Sequence, residues 1–287
     1  MNNVEELTDL LDLEEIDINL YRGGNYRSPW GRVFGGQVLG QALHAAYETV
    51  PDNRIAHSFH GYFILAGNID RPILYQMDTL RDGGSFTTRR VTAKQNGEAI
   101  FIMAASFKIP KEGLNHQINM PDVPAPEQLK SDVELIEQIK ESHPKEYKRL
   151  ANDRPIEFRP VEPYDFANPT SQKPYKHVWL KAKGSLGDDL RVHQEVLAYA
   201  SDYNLLGTAL LPHREKVAKG TYFLASLDHA MWFHRPFRMD EWLLYSIDSP
   251  SASNTLGYTR GNIFNQGGEL VASVTQEGLM MPFRKKA

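Results

Sequence analysis

The chain has 287 residues, long for one hydrophobic core and ample for two structural units. Its 41% hydrophobic and 24% charged residues are ordinary for a globular protein, and a net charge of −4 provides no electrostatic footprint for nucleic acid. Cysteine is absent, which excludes disulfides, thiolate nucleophiles and thiolate metal ligands.

The acidic opening VEELTDLLDLEEID predicts a short helix or strand within residues 4–20 and lacks the character of a secretory signal. No apolar run approaches a membrane span, and the terminal RKKA is not the Ser-Lys-Leu peroxisomal address. The expectation is a cytoplasmic protein without membrane insertion. Apolar residues at 38, 39, 42, 43 and 46 have helical spacing, and Pro51 ends that helix. Gly40 and Ala42 within this stripe suit a helix pressed closely against a neighbour. Four strand signals follow without another helix: HSFHGYFIL, RPILYQMDTLRD, SFTTRRVTAKQNG and EAIFIMAASFKI. Asn96-Gly97 between the last two is a strong hairpin signal. Residues 109–176, rich in Pro, Glu and Lys, predict a linker with one helix near Asp132 to Asn152. Helical spacing returns at 196, 197, 200, 201 and 204. It is followed by strand signals at TYFLASLDHAMWF, EWLLYSIDS, GYTRGNIFNQ and ELVASVTQEGLM, with a turn at Gln266-Gly267-Gly268.

The second series is an altered copy of the first. Val38-Leu39 reappears as Val196-Leu197 at an offset of 158, whereas Thr88-Arg89 and QNGE reappear as Thr259-Arg260 and QGGE at 171. That change of offset implies about 13 extra residues in the second copy, and LLPHREKVAKG is the expected place. A curved antiparallel sheet wrapped around one long apolar helix is the hotdog architecture, and here it occurs twice. The expected fold is therefore α+β, a double hotdog whose two sheets join into one. A ferredoxin-like repeat would need a second helix per unit. The expected organisation is a first repeat over 1–108, a linker over 109–176 and a second repeat over 177–287 that carries the functional residues.

Duplication lets one copy keep the chemistry while the other keeps only the shape, so the differences between copies are informative. Asp202 stands where the first copy has His44, among Leu197, Ala198, Tyr199 and Ala200. A carboxylate in such surroundings must be hydrogen-bonded, as a structural cap or as a working base. Alternation in LVASVTQEGLM puts Gln276 on an otherwise apolar face, and its counterpart in the first copy is Ala105. Ser226 in ASLDHAMWFHRP lacks the Gly-x-Ser-x-Gly elbow of a nucleophilic serine, although His229 and His234 are near. No His-Glu-x-x-His pattern points to a metal. Ile100, Ile102 and Ala104 predict an apolar outer face on the first copy, covered by the linker or by another subunit, unlike Ser273, Thr275 and Glu277 in the second.

The blocks VFGGQVLGQAL, HSFHGYF, TLRDGGSF, QNGE, DDLRVHQ, YASD, SLDHAMWFHRPF and TQEG, in this order over nearly the whole chain, resemble the acyl-CoA thioesterase II family. The resemblance implies a double hotdog that hydrolyses fatty acyl-CoA of medium to long chain. It also implies a catalytic set of Asp202, Ser226 and Gln276, with Ser in place of Thr as the one departure. Asp202 would act as general base on a water held by Ser226 and Gln276, with neither covalent intermediate nor cofactor. The implied partner is the acyl-CoA substrate, and the apolar outer face of the first copy adds the expectation of further copies of the chain, as a dimer or tetramer. Arg89, Arg90 and Arg260 are the candidates for the CoA phosphates. Two other readings are a hotdog dehydratase, which would want a histidine partnered with an acid, and a non-catalytic acyl-CoA-binding protein.

Overall fold

The computed structural model describes residues 1–28, 31–163, 165, 169–218 and 222–282. In the first repeat, α1 (Val4–Leu11), β1 (Glu14–Asp17) and β2 (Leu20–Gly23) precede α2 (Gly35–Tyr47), which is followed by β3 (Ile55–Phe63), β4 (Ile73–Asp82), β5 (Phe86–Gln95) and β6 (Glu98–Lys108). The linker carries α3 (Asp132–Glu137), α4 (Pro144–Leu150) and β7 (Ile156–Pro160). The second repeat runs through β8 (Tyr175–Ala182), α5 (Leu190–Ser201), α6 (Leu205–Ala209) and α7 (Arg214–Ala218). Strands β9 (Tyr222–Ser226), β10 (Asp228–Phe233), β11 (Leu243–Ser253), β12 (Leu256–Asn265) and β13 (Leu270–Pro282) complete it.

All described strands join one antiparallel sheet in the order β1-β2-β4-β5-β6-β3-β10-β13-β12-β11-β8-β7, with β9 beside β13. The repeats meet edge to edge where β3 pairs with β10, from Ser58 opposite Trp232 to Tyr62 opposite Asp228. The double hotdog is thus one continuous sheet around two helices. The hairpin between β5 and β6 turns at Asn96 (φ 53°) and Gly97 (φ 82°), the two left-handed residues that a tight primed turn requires.

Helices α2 and α5 lie antiparallel in the hollow of the sheet, and small residues set their separation. A Cβ on Gly36 would meet the Tyr199 carbonyl oxygen at 2.2 Å, and one on Gly40 would lie 3.2 Å from the Glu195 carbonyl oxygen. Close backbone approach of this kind is a use of glycine inside a helix that offsets its unfavourable propensity. The start of α2 therefore rests on the end of α5. Leu39, Leu43, Ala42 and Ala46 are fully buried on α2, as are Val196, Leu197 and Ala200 on α5.

Several local expectations are corrected. The opening segment forms both a helix and two strands. The linker helix is split in two, and Pro144 begins the second piece. Its IEFRP stretch adds an edge strand, short and flanked by prolines, beside β8. The insertion LLPHREKVAKG forms a short 3-10 turn and α7, and its last two residues lie outside the described ones. The single strand expected at TYFLASLDHAMWF is broken at Leu227, so β9 pairs with β13 while β10 bridges β13 and β3.

The outer faces of the repeats are unequal. On the second, Met120, Val123 and Leu129 of the linker cover Trp179, Trp242, Leu244 and Phe264. Gln117 secures the linker there by donating to the Gly268 carbonyl at 2.8 Å and accepting from the Leu270 N–H at 3.0 Å. On the first, Ile102 (38% exposed) and Ala104 are open, so the described part of the linker covers the other repeat. Ile100 leaves the predicted face. A register shift between Ala93 and Lys94 makes it the extra residue of a bulge, and it is buried with its carbonyl accepting from Ile64 and Leu65. Among the described residues, no helix is long and apolar enough to cross a membrane.

Candidate active site

Asp202 is the residue at which α5 ends, after Asp189 caps its start. Its carboxylate reaches across to the other repeat, where Oδ2 accepts from the Gly36 N–H at 3.0 Å. That N–H belongs to the first turn of α2, which has no intrahelical acceptor for it. Oδ1 accepts from Gln276 Nε2 at 2.7 Å and, at the long distance of 3.4 Å, from Ser226 Oγ. Ser226 ends β9 opposite Gly278, at the break before β10, so its hydroxyl lies beside the carboxylate and away from an exposed elbow. Gln276 is 1% exposed, and its amide reaches Asp202 from the sheet side. The three residues marked in the sequence are thus brought together, joined through the carboxylate of Asp202.

Burial pushes the Asp202 carboxyl above the usual aspartate range, while the hydrogen bonds from Gln276, Gly36 and Ser226 pull it down. A carboxyl so placed has a proton affinity closer to that of a base working near neutrality. Behind Gln276, the buried His229 ring is held far from protonation, its pKa pushed down by burial to about 3. His229 contacts Gln276 and Ser201, so a Ser226–His229 dyad is not formed. Among the described residues, no group of three His, Cys, Asp or Glu side chains is arranged to hold a metal.

Asp202 and Ser226 face a pocket of about 470 Å³ whose walls include Val38, Phe63, Phe101 and Leu279. Gly35 and Phe34 bring the start of α2 to the same wall. A helix N-terminus there favours negative charge on whatever the pocket holds.

Models of two families match the chain, one described as the acyl-CoA thioesterase N-terminal domain over residues 26–108 and one as acyl-CoA thioesterase over residues 145–279. Acyl-coenzyme A thioesterase 8 of Homo sapiens is 41% identical over 283 residues, spanning 96% of this chain and 88% of that protein. The chain belongs to the acyl-CoA thioesterase family. Within it, acyl-CoA thioesterase 2 of Haemophilus influenzae is 37% identical over 278 residues, 96% of this chain and 97% of that one. The crystal structure of acyl-CoA thioesterase II TesB2 from Mycobacterium marinum superposes with a TM-score of 0.80 at 42% identity, over 96% of this chain and 98% of that one.

None of the three arginines marked in the sequence reaches the pocket of this thioesterase fold. Arg89 is 3% exposed and tied to the Thr49 carbonyl at 2.8 Å and to Asp82 at 2.8 Å, which makes it a structural clamp. Arg90 pairs with Asp78 and Arg260 with Asp248 on the outer surface of the sheet. Among the described residues, the cation that does border the pocket is Arg32, its guanidinium 5.0 Å from the Phe223 ring centre. Only the fold brings that loop arginine to β9, so spacing along the chain had no means of marking it.

A partnered histidine also exists, at the position that mirrors Asp202. His44 Nδ1 lies 3.2 Å from Glu195 Oε2. Burial opposes its charge, but Glu195, Glu48 and Asp12 outweigh burial and raise its pKa. The space around it is used differently from that around Asp202. The Gln194 side chain donates to the Ala56 carbonyl at 3.1 Å and accepts from the Tyr47 hydroxyl. The pair borders neither the 470 Å³ pocket nor Ser226.

Proposed function

We propose that the chain hydrolyses medium- to long-chain fatty acyl-CoA to a free fatty acid and CoA, with Asp202, Ser226 and Gln276 as its catalytic set. The observation that carries this reading is the Asp202 carboxylate. It stands at the wall of an apolar pocket, held by one N–H of the opposite repeat and by the side chains of Gln276 and Ser226. The acyl chain lies along the apolar wall, and the thioester carbonyl is set against the start of α2. There backbone N–H groups and the helix dipole stabilise the developing oxyanion. A water held by Ser226 and Gln276 adds its oxygen to the carbonyl carbon as Asp202 takes its proton. The tetrahedral adduct collapses, the C–S bond breaks, and the CoA sulfur leaves as thiolate or takes the proton back from Asp202. No acyl-enzyme forms. Arg32 at the pocket mouth meets a CoA phosphate.

In this reading, residues 177–287 carry the base while residues 1–108 supply the helix start, so both repeats are required across the 109–176 linker. The setting is fatty acid metabolism in the cytoplasm, and copies associate as a dimer or tetramer through the open face around Ile102. Sedimentation of the purified protein tests the last point, and a monomer at micromolar concentration would remove it.

The decisive assay is thiol release from palmitoyl-CoA by the parent and by Asp202→Asn. The variant keeps the size of the side chain and removes its basicity, so binding along the apolar walls persists while turnover falls by roughly 10²–10⁴. An Asn variant with the parent rate refutes the mechanism. A dehydratase would consume a hydroxyacyl or enoyl thioester without releasing thiol, and a sensor would bind without turnover.

A further inference from the structure

The network continues one residue beyond the catalytic set. His229, on β10, is completely buried and stacks on Phe59 with ring centres 6.0 Å apart. Its Nε2 is 3.0 Å from Ser201 Oγ, and that hydroxyl lies 2.9 Å from the Ala198 carbonyl oxygen. A carbonyl can only accept, so the one Ser201 hydrogen goes to Ala198. The Ser201 oxygen then accepts from His229, which puts the imidazole proton on Nε2 and leaves Nδ1 bare. Nδ1 faces Gln276 Nε2 at 3.2 Å. The Gln276 amide consequently has both N–H bonds assigned, one to His229 and one to Asp202 at 2.7 Å. Its Oε1 is buried without a protein hydrogen-bond partner.

We propose that His229 is a positioning residue: by accepting one N–H of Gln276 it holds the other against Asp202 while that carboxylate gains and loses a proton. The inference rests on Asp202 being the general base. An ionised Asp202 orients the amide by itself, because it repels Oε1. Once Asp202 is protonated, its O–H can instead donate to a flipped Oε1. That arrangement stabilises the protonated base and withdraws it from the cycle. The bare Nδ1 of a neutral imidazole forbids the flip at either stage, since it would face Oε1 lone pair to lone pair. Among the described residues, the other titratable side chains that feel the charge of Asp202 are Tyr203, beyond the end of α5, and Tyr245 on β11, whose hydroxyl donates to the Ser201 carbonyl at 3.1 Å. Burial holds both phenols neutral through the assay range, so neither supplies a competing charge.

Two near-isosteric variants separate this role from packing. Asn at 229 is short and can place an oxygen near the Nδ1 position, keeping the acceptor and losing the bond to Ser201. Gln is longer and reaches the Nε2 position, keeping Ser201 and losing the acceptor. In thiol release from palmitoyl-CoA, His229→Asn is expected within about threefold of the parent kcat, with an unchanged acid limb. His229→Gln is expected to lose about 10–100-fold, with its acid limb moved to higher pH by about one unit. Equal kcat and equal acid limbs for the two variants overturn the proposal. Nitrogen NMR of the parent gives a second test that survives misfolding of either variant: Nε2 must carry the proton and Nδ1 must not, and the reverse tautomer overturns it. Asp202→Asn in the same assay keeps the two readings apart. If it is inactive while His229→Gln is normal, only the positioning role fails; if it is active, the general-base reading itself fails.

Discussion

Gly35→Ala should disable the proposed site through one methyl group placed against the Asp202 carboxylate. A Cβ at this position would lie 2.6 Å from Asp202 Oδ2 and 3.1 Å from Phe63 Cζ. The gap from 2.6 Å to the 3.4 Å at which ordinary contact begins is about 0.8 Å. The carboxylate cannot rotate freely out of the way, since Oδ1 is held by Gln276 and Oδ2 by the Gly36 N–H. A shift of most of an ångström at a reacting group costs roughly 10–100-fold in rate. Lengthening the Gly36 bond also removes support from the anion, so the acid limb of kcat should move to higher pH. Alanine is the better helix former, which offsets part of the strain, so stability should stay within about 1 kcal/mol of the parent. Gly113→Ala, where a Cβ meets nothing within 4 Å, is the control. The assay is thiol release from palmitoyl-CoA across pH, with thermal melting of each variant. A Gly35→Ala protein with the parent kcat and acid limb would refute the reasoning, because Asp202 could then be displaced without consequence.

Ser226→Thr should retain most activity, whereas Ser226→Ala should lose it, and mass spectrometry during turnover should find no acyl adduct; an ester trapped on Ser226 would require a covalent mechanism. Gln276→Glu should be nearly inactive with its acid limb shifted upward, because a second carboxylate beside Asp202 raises the proton affinity of the pair; an unshifted pH profile would count against their contact. The stability of the parent should fall with acidity relative to His229→Asn. His229 is held neutral when folded, with a pKa of about 3, while the unfolded chain binds its proton from about pH 6.5 downward. The contribution is therefore complete above pH 6.5 and is lost toward pH 3, by at most about 1.4 kcal/mol per pH unit. Urea titrations at pH 7 and pH 5 measure it, and a difference between parent and variant that does not change with pH would exclude a neutral His229.

What the sequence conveyed about the fold was carried by periodicity. The apolar stripe from Val38 to Ala46 and its echo from Val196 name the two central helices, because burial leaves little choice of residue there. The same alternation exposed Gln276 as an amide on an apolar face, and the repeat comparison exposed Asp202 as a carboxylate where the other copy has His44. Features that depend on partners distant along the chain were not legible. Ile100 changes face because of a bulge opposite Lys94, which no alternation rule anticipates. Arg89 is drawn inward by the Thr49 carbonyl just beyond α2 and by Asp82, and Arg32 meets β9 only across the assembled repeats. His229 was visible only as a histidine near Ser226, and its meaning lies in Ser201 and Gln276, which stand 28 and 47 residues away.

The unequal use of His44 and Asp202 has an evolutionary corollary. In a dimer of two identical single-repeat chains, a substitution on the central helix enters both symmetry-related positions together. A change that favours a carboxylate at one end of the helix pair must then be tolerated at the other. Joining the copies in one polypeptide removes that obligation. Here the carboxylate of Asp202 is matched to the Gly36 N–H, while the mirrored His44 is matched to Glu195, and neither arrangement constrains the other. One half of the molecule is then free to trade turnover for rigidity, holding the helix start that the other half needs. Variation along this chain should accordingly run at different rates in equivalent positions of the two repeats, slow at Asp202, Ser226 and Gln276 and faster at His44 and Ala105.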